Sequence, residues 1–202
     1  MDLETHIRQS LTDARDDLKT LLEDHAASDR LADLARRIAD CFEAGGKVLL
    51  CGNGGSACDA MHAAEEFTGR YRDDRRPLPA LALTDPGHIT CTANDYGYER
   101  VFSRAVEALG RPGDILIALS TSGNSENVLR AVQAAGALGI TTAAFLGKDG
   151  GRLRGRCDLE WIMPGGTADR IQELHMLSLH VLIEAVERLV VPENYRHTDA
   201  RM

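Results

Sequence analysis

Short apolar runs alternate with amphipathic segments along most of the chain, and this alternation predicts the fold. The apolar runs are bounded by Gly, Pro or Asp and predict buried strands at residues 48–51, 78–83, 115–119, 141–146 and 159–163. Between them, apolar residues recur three or four positions apart and predict helices at residues 57–67, 99–109, 126–138 and 168–190. Strands that alternate with helices favour right-handed crossovers, and therefore a five-stranded parallel sheet with helices on both faces.

Two more amphipathic helices are predicted before the first strand. One covers residues 2–24, and the other opens near Ser28 and runs to about Ala44, where two glycines end it. Their apolar stripes exceed what one face of a sheet needs, so we expect these helices to form a contact between copies of the chain. Residues 1–192 are expected to form a single domain, and residues 193–202 a polar tail.

Composition is that of an ordinary globular protein. The 202 residues are 44% hydrophobic and 27% charged, which allows one domain with a sizeable core. The formal net charge of −8 argues against nucleic acid as a partner. No apolar run reaches the roughly 18 residues of a membrane span, and the first residues lack the character of a signal peptide. Five scattered cysteines argue against a disulfide framework or a cysteine zinc cluster, so we expect a location in the reducing cytoplasm.

A glycine-rich loop follows the first predicted strand. The sequence Gly52-Asn53-Gly54-Gly55-Ser56 supplies backbone freedom and N–H groups at the start of a helix, which suits a phosphate or a sugar hydroxyl. The alternative is a simple turn between strand and helix whose polar residues face solvent. This stretch alone does not decide between the two interpretations.

A serine-rich loop follows the third predicted strand. Four hydroxyls stand within six residues before a predicted helix, an arrangement suited to phosphate: Ser120, Thr121, Ser122 and Ser125. Ser125 could simply cap that helix, but a cap needs only one hydroxyl, so the density of hydroxyls favours phosphate. The glycine spacing matches neither a P-loop nor a dinucleotide-binding fingerprint. Because the carboxyl ends of parallel strands meet at one edge, we expect both loops on the same side of the sheet.

Polar side chains on two predicted helices are candidates for a metal site. His62 and Glu66 lie four residues apart and share one helix face, and Gln172 and His180 lie largely off the apolar stripe of the last helix. Histidine and carboxylate together suit zinc or a similar divalent ion, provided that the two helices are neighbours. Otherwise these residues are structural or solvent-facing. Cys58 extends the ladder of His62 and Glu66, but packing is the favoured explanation for this thiol.

An irregular or briefly helical stretch is expected at residues 88–98. It contains Asn94 and Asp95, whose side chains could point at a ligand in such a position. Taken alone, a pair of this kind more often forms a turn. The sequence leaves both interpretations open.

Together, these motifs resemble the sugar isomerase (SIS) domain superfamily and, within it, the phosphoheptose isomerase family. The resemblance extends from the N-terminal helices to about Val190 and rests on CGNGGSACDAMHAAEE, ANDYGYE, LSTSGNS, GKDGG and ADRIQELHMLSLH. It implies an α/β fold: a flavodoxin-like three-layer αβα sandwich assembled as a homotetramer with sites near subunit contacts. It also implies interconversion of sedoheptulose 7-phosphate and D-glycero-D-manno-heptose 7-phosphate, the first step toward activated heptose for cell-surface glycans.

The resemblance also implies roles for individual residues. One Zn²⁺ per subunit is expected, with the ligands His62, Glu66, Gln172 and His180. Glu66 and His180 also match the catalytic base and acid, roles suited to proton transfer through an enediol(ate). The two roles of Glu66 compete, because a carboxylate bound to zinc is a weaker base. The serine-rich loop is expected to take the phosphate. Positions that match substrate contacts are Asn53, Gly54, Gly55, Ser56, Glu66, Asn94, Asp95, Ser120, Thr121, Ser122, Ser125, Asp169 and Gln172.

The spacing of two expected ligands limits how they can share an ion. Gln172 and His180 are eight residues apart, about 12 Å along a helix and ~80° around its axis. We therefore expect the site either to draw on two copies of this helix or to use only some of these ligands at once.

Three other functions are considered. A non-catalytic SIS protein, such as relatives that bind the replication initiator DnaA, keeps the loops and loses catalytic side chains, whereas Glu66 and His180 are both present here. A regulatory SIS module usually accompanies another domain, and this chain is expected to hold only one. An isomerase of another phosphosugar is the third alternative.

Overall fold

Residues 2–196 are described by a computed structural model, which contains seven α-helices and five β-strands. The helices are α1 (Leu3–Glu23), α2 (His25–Glu43), α3 (Gly55–Thr68), α4 (Pro86–Tyr96), α5 (Val101–Leu109), α6 (Glu126–Ala137) and α7 (Ala168–Val190). The strands are β1 (Val48–Gly52), β2 (Ala80–Ala82), β3 (Ile115–Ser120), β4 (Thr141–Gly147) and β5 (Leu159–Met163). Short 3₁₀ turns lie at Tyr98–Arg100, Gly151–Leu153 and Pro192–Tyr195.

The strands form one parallel sheet in the order β2-β1-β3-β4-β5. This is the doubly wound order of flavodoxin-like sheets, and the predicted five-stranded αβα architecture is confirmed. Every residue of β1 and β3 is buried, as expected for central strands covered on both faces. The edge strand β2 is shorter than the predicted 78–83. Its flanking Leu78 is buried, but the Leu78 N–H donates to the carbonyl of Phe67 at 3.0 Å and takes no part in the strand pairing.

Two hydrophobic layers flank the sheet, and alternate strand residues point into each. In β1, Val48 and Leu50 pack with α2, α3 and α7, whereas Leu49 and Cys51 pack with α5 and α6. The helix α4 adds partly buried side chains to the second layer. Because α3 and α7 share the first layer, the two helices that carry the expected metal ligands are neighbours.

The helix α1 has no buried residue in the single chain. Its apolar stripe is exposed to solvent, at 74% for Leu3, 50% for Ile7, 67% for Leu11 and 68% for Leu22. The helix α2, by contrast, buries seven residues within the domain. Exposed apolar residues at helical spacing are typical of contact surfaces, so the expected contact between copies through α1 stays a prediction. Packing within one chain therefore accounts for α2 and, through Leu18 and Leu21, for part of the stripe of α1, and it leaves the exposed positions uncovered.

The helix α4 occupies most of the stretch that the sequence pattern predicts as irregular or briefly helical. Asp85 caps α4 by accepting a hydrogen bond from the His88 N–H at 2.6 Å, and Pro86 stands at its first position. An N-cap aspartate followed by proline is a strong start signal, and here it outweighs the weak apolar periodicity of the segment. The pair Asn94 and Asp95 therefore lies in the last turn of a helix.

The segment after α7 stays attached to the domain beyond the predicted start of the polar tail at Glu193. Pro192–Tyr195 form a 3₁₀ turn, and Tyr195 is 5% exposed. Its hydroxyl donates to Glu187 Oε2 at 2.7 Å, which anchors the turn to α7. The remaining tail positions 197–202 lie outside the described residues.

Candidate functional site

The glycine-rich and serine-rich loops lie side by side at the carboxyl edge of the sheet. They follow β1 and β3, which are paired neighbours. The side-chain amides of Asn53 and Asn127 exchange two hydrogen bonds, each 2.8 Å long. The Tyr98 hydroxyl donates to Asn53 Oδ1 at 2.9 Å. The expectation that both loops share one side of the sheet is confirmed.

Asn127 and Tyr98 are site residues that no local pattern singles out. Asn127 is 3% exposed in the first turn of α6, and it engages both the oxygen and the nitrogen of the Asn53 amide. Together with Tyr98, it fixes the orientation of that amide. The only sequence signal for either residue is its position in or beside a quoted motif, ANDYGYE for Tyr98 and LSTSGNS for Asn127.

The hydroxyl of Ser125 in the serine-rich loop does not cap α6. Ser125 stands at the N-cap position, but its side chain makes no capping hydrogen bond. It instead accepts a hydrogen bond from Ser120 Oγ at 3.4 Å, and Ser122 Oγ accepts one from the Asn124 N–H at 3.2 Å. The first N–H groups of α6 also face this loop, because a helix N-terminus leaves them without intrahelical partners. Hydroxyls and helix N–H groups together suit the binding of an oxyanion.

A second loop at residues 147–151 clamps the backbone of the serine-rich loop. Gly123 has a φ of +63°, and a Cβ at this position would lie 1.9 Å from the carbonyl oxygen of Gly150. The Leu153 N–H donates to the Gly123 carbonyl at 3.0 Å. Only glycine fits at position 123, since any side chain meets both the backbone strain and the close approach.

His62, Glu66 and His180 form a donor cluster between α3 and α7. Their potential ligand atoms all lie within 4.8 Å of one another. His62 Nε2 is 3.3 Å from Glu66 Oε1, and the rings of His62 and His180 are 5.0 Å apart between centroids. The fold thus brings together three of the four expected metal ligands in one chain.

The donor cluster fits zinc. Two imidazoles and one carboxylate form a common catalytic zinc site whose fourth position stays open. Donor atoms about 2.1 Å from a tetrahedral ion lie roughly 3.4 Å apart, so small side-chain rotations suffice to close the cluster on an ion. Burial, and then the neighbouring His62, hold the pKa of His180 below its usual range, while Glu66 acts in the opposite direction. A lowered pKa favours the neutral imidazole of His180, which is the form whose lone pair can bind a metal.

Gln172, the fourth expected ligand, lies at the other end of the two helices. Its amide packs on the backbone of Gly55, where an added Cβ would meet both Nε2 and Oε1 of Gln172 at 2.6 Å. Gly55 begins α3, and Glu66 follows eleven residues later, about 16 Å further along the helix. Within one chain, Gln172 therefore belongs to the loop end of α3 and stands apart from the donor cluster.

Other expected substrate contacts lie around the loops without joining them. Asn94 and Asp95 are exposed and bond to each other, with Asn94 Nδ2 donating to Asp95 Oδ1 at 2.8 Å. Asp169 is exposed in the first turn of α7, whereas Ser56 is 3% exposed and packs beneath Gly52. The hydrogen bonds within residues 2–196 connect neither Asn94 nor Asp95 to the two loops.

The helices α3 and α7 carry three further ionisable residues outside the donor cluster: Cys58, Asp59 and His175. Cys58 is exposed, so the packing predicted for this thiol is wrong for the single chain. Asp59 was not singled out by the sequence pattern, and burial raises its pKa to about 6 against the effect of His62. His175 is fully buried, its Nε2 lies 3.0 Å from the Leu146 carbonyl oxygen, and burial lowers its pKa to about 4. His175 is thus a neutral core residue.

Known proteins match both the sequence and the fold. The SIS domain family matches residues 12–147. The phosphoheptose isomerase of Fusobacterium nucleatum subsp. nucleatum is 56% identical over 178 residues, which are 88% of this chain and 92% of that protein. The phosphoheptose isomerase of Sodalis glossinidius is 51% identical over 188 residues, or 93% of this chain and 97% of that protein. The solved structure of a phosphoheptose isomerase from Francisella tularensis has a TM-score of 0.87 at 35% identity, covering 93% of this chain and all of that one. The chain therefore belongs to the phosphoheptose isomerase family of SIS-domain proteins.

Proposed function

We propose that the protein is a phosphosugar isomerase that interconverts sedoheptulose 7-phosphate and D-glycero-D-manno-heptose 7-phosphate. The observation that carries this proposal is the cluster of His62, Glu66 and His180 in a chain of this family. Such a reaction needs a carboxylate base, an acid and stabilisation of negative charge, and the cluster offers all three. The product is expected to enter the synthesis of activated heptose for cell-surface glycans.

The reaction moves a proton from C1 to C2 of the sugar through an enediol(ate). Glu66 takes the proton from one carbon and returns it to the other, and His180 exchanges a proton with the sugar oxygens. Zn²⁺, one per subunit, supplies positive charge beside the reacting oxygens when it is bound by the cluster. In this proposal Glu66 exchanges between the roles of ligand and base, because a carboxylate bound to zinc is a weaker base.

Substrate binding is assigned to the carboxyl edge of the sheet. The serine-rich loop takes the phosphate, supported by its hydroxyls and by the N-terminus of α6. Asn53, Gly54 and Gly55 hold the sugar end, and Asn127 orients the Asn53 amide. The remaining assigned contacts are Ser56, Asn94, Asp95, Asp169 and Gln172.

The proposed assembly is a homotetramer in which two copies of α7 contribute to each site. The exposed stripe of α1 supports association, and the position of Gln172, about 12 Å along α7 from His180, supports the use of two copies. Leu11→Glu on the stripe is expected to lower the mass measured by light scattering and to reduce activity in parallel. Gln9→Lys is the matched control, since it adds a charge on the same helix outside the stripe and keeps Asp13 as a partner. A monomeric variant with full activity and full zinc affinity would contradict the two-copy site.

The activity is tested by incubating the purified protein with sedoheptulose 7-phosphate and following the aldoheptose product. We expect turnover, loss of most of that turnover after treatment with a chelator, and recovery when Zn²⁺ is added back. Recovery with another divalent ion only would change the assigned metal. Turnover of a different phosphosugar alone would change the substrate, and no turnover of any phosphosugar would favour a binding protein.

A non-catalytic partner of a replication initiator is not favoured, because the described relatives are isomerases and the donor cluster is intact.

A cytoplasmic location is part of the proposal. All five cysteines are free thiols, which is compatible with a reducing compartment. Among the helices of residues 2–196, none combines the length and the hydropathy that a bilayer crossing requires.

A further inference from the structure

The guanidinium of Arg75 is buried where the C-terminal end of α3 meets α7. The side chain is 0% exposed, and its Nε donates to Glu187 Oε1 at 2.5 Å. Its Nη1 donates to the carbonyls of Phe67 and Gly69 at 2.8 and 2.9 Å, and its Nη2 donates to the carbonyl of Glu66 at 2.6 Å. One side chain therefore binds both a carboxylate of α7 and the last carbonyls of α3.

These partners belong to the two helices that carry the donor cluster. The Glu66 carbonyl is bound directly, and Glu187 lies on α7 seven residues, or about two turns, after His180. The last carbonyls of a helix have no intrahelical donors, so this end of α3 is free to fray unless another group binds it. Arg75 supplies those donors at the turn that holds Glu66.

The carboxylate of Glu187 is held on both oxygens. While Oε1 accepts from Arg75, Oε2 accepts from the Tyr195 hydroxyl at 2.7 Å. The Arg188 guanidinium lies over the Tyr195 ring, 4.5 Å from its centroid. A buried, charge-assisted pair with both partners fully engaged has little freedom to move, since any displacement breaks several hydrogen bonds at once.

We propose that Arg75 is a positioning residue that fixes the spacing of α3 and α7, and with it the separation of Glu66 and His180. The inference rests on the proposed function in assigning the cluster its role. A lysine at this position keeps the charge opposite Glu187, but its compact ammonium lacks the planar fork that reaches three carbonyls and a carboxylate together. Arg75→Lys therefore separates charge pairing from positioning.

Arg75→Lys is expected to raise the Kd for zinc by roughly tenfold or more, measured by competition with a chromophoric chelator. The kcat with sedoheptulose 7-phosphate is expected to fall by a similar factor. KM should change less than kcat, because the loops assigned to the phosphate and the sugar end lie at the opposite end of α3 and only Glu66 among the expected contacts is at this end. A residue that contributed only to stability would leave the zinc affinity of the folded protein unchanged.

A double variant separates an effect on zinc affinity from an effect on the stability of the fold. Arg75→Met alone leaves the Glu187 carboxylate buried without its partner and is expected to be the least stable variant. Arg75→Met with Glu187→Leu replaces the ion pair by apolar groups, so the Tm should recover in part relative to Arg75→Met while zinc affinity stays low. The recovery is partial because the carbonyls at the end of α3 and the Tyr195 hydroxyl lose their partners. Lys47→Met is the matched control. It breaks a partly buried pair with Asp114 between the starts of β1 and β3, which touches neither α3 nor α7, and should lower the Tm without changing zinc affinity.

Wild-type zinc affinity in both Arg75→Lys and the double variant would overturn the proposal, and so would a wild-type protein that binds no zinc. If the double variant does not fold, Arg75→Lys alone decides. The zinc measurement requires no turnover. A wild-type protein that binds zinc but does not isomerise the sugar would therefore overturn the proposed function, while the comparison of zinc affinities still decides the role of Arg75.

Discussion

Glu66→Gln is expected to lower the kcat for sedoheptulose 7-phosphate by about a thousandfold while the protein stays folded. A glutamine amide cannot accept the C1 proton, and a positioned general base typically contributes about 10²–10⁴ to the rate. The Glu66 side chain is 17% exposed, so the isosteric change removes a charge without opening a cavity. The measurement is the initial rate of aldoheptose formation at saturating substrate, together with KM.

Glu65→Gln is the matched control on the same helix. Its carboxylate is 68% exposed and lies 4.0 Å from His62 Nε2, close to the cluster but outside it. Its kcat is expected to stay within about twofold of wild type, since an exposed carboxylate at that distance contributes little. An equal loss in both variants, or none in Glu66→Gln, would remove Glu66 from the role of base. The zinc affinity of Glu66→Gln then distinguishes the loss of a base from the loss of a ligand.

Gly123→Ala is expected to raise KM by at least about tenfold and to destabilise the protein by about 2–4 kcal/mol. The added methyl would lie 1.9 Å from the Gly150 carbonyl oxygen, and the backbone φ of +63° is itself unfavourable for alanine. The serine-rich loop must therefore move away from the loop at residues 147–151, and its hydroxyls no longer converge on the phosphate. Substrate kinetics and urea unfolding give the two quantities.

Gly136→Ala is the control for the replacement of a glycine by alanine at a position with free space. Gly136 lies within α6, and an added Cβ would meet nothing within 4 Å. Alanine is there expected to stabilise the helix by about 0.5–1 kcal/mol without changing KM. A Gly123→Ala protein with wild-type KM would show that the clamped loop does not bind the phosphate.

Most of the fold follows from apolar periodicity, because the buried strands and the amphipathic helices each carry their own local pattern. The helix α4 is the exception. Its segment has few apolar residues, and its start depends on Asp85 and Pro86, a signal of two residues that a search for periodicity overlooks. The burial of Tyr195 depends on its bond to Glu187, and nothing in the polar sequence around it indicates that partner.

The candidate site, like the fold, is only partly predictable from local sequence patterns. The residue types of His62, Glu66 and His180 indicate metal chemistry, but their meeting depends on α3 and α7 sharing one face, which only the strand order decides. The roles of Asn127 and Arg75 depend on bonds to residues 74 and 112 positions away along the chain. Such bonds leave no local pattern. The placement of Gln172 beside Gly55 likewise arises from packing, not from the sequence pattern.

In the proposed assembly, the exposed residues of the α1 stripe make protein concentration a thermodynamic variable for the site. Leu3, Ile7 and Leu11 are exposed, so the first half of α1 has few packing contacts in its own chain, and packing supplies most of a helix's stability. In the proposed assembly its folding is therefore linked by mass action to association, and dilution acts on it as a denaturant would. Arg170 in the first turn of α7 donates to the Ser10 carbonyl of α1 at 3.3 Å. In that assembly, unravelling of α1 removes this contact from the turn that precedes Gln172, so dilution is expected to loosen this part of the site.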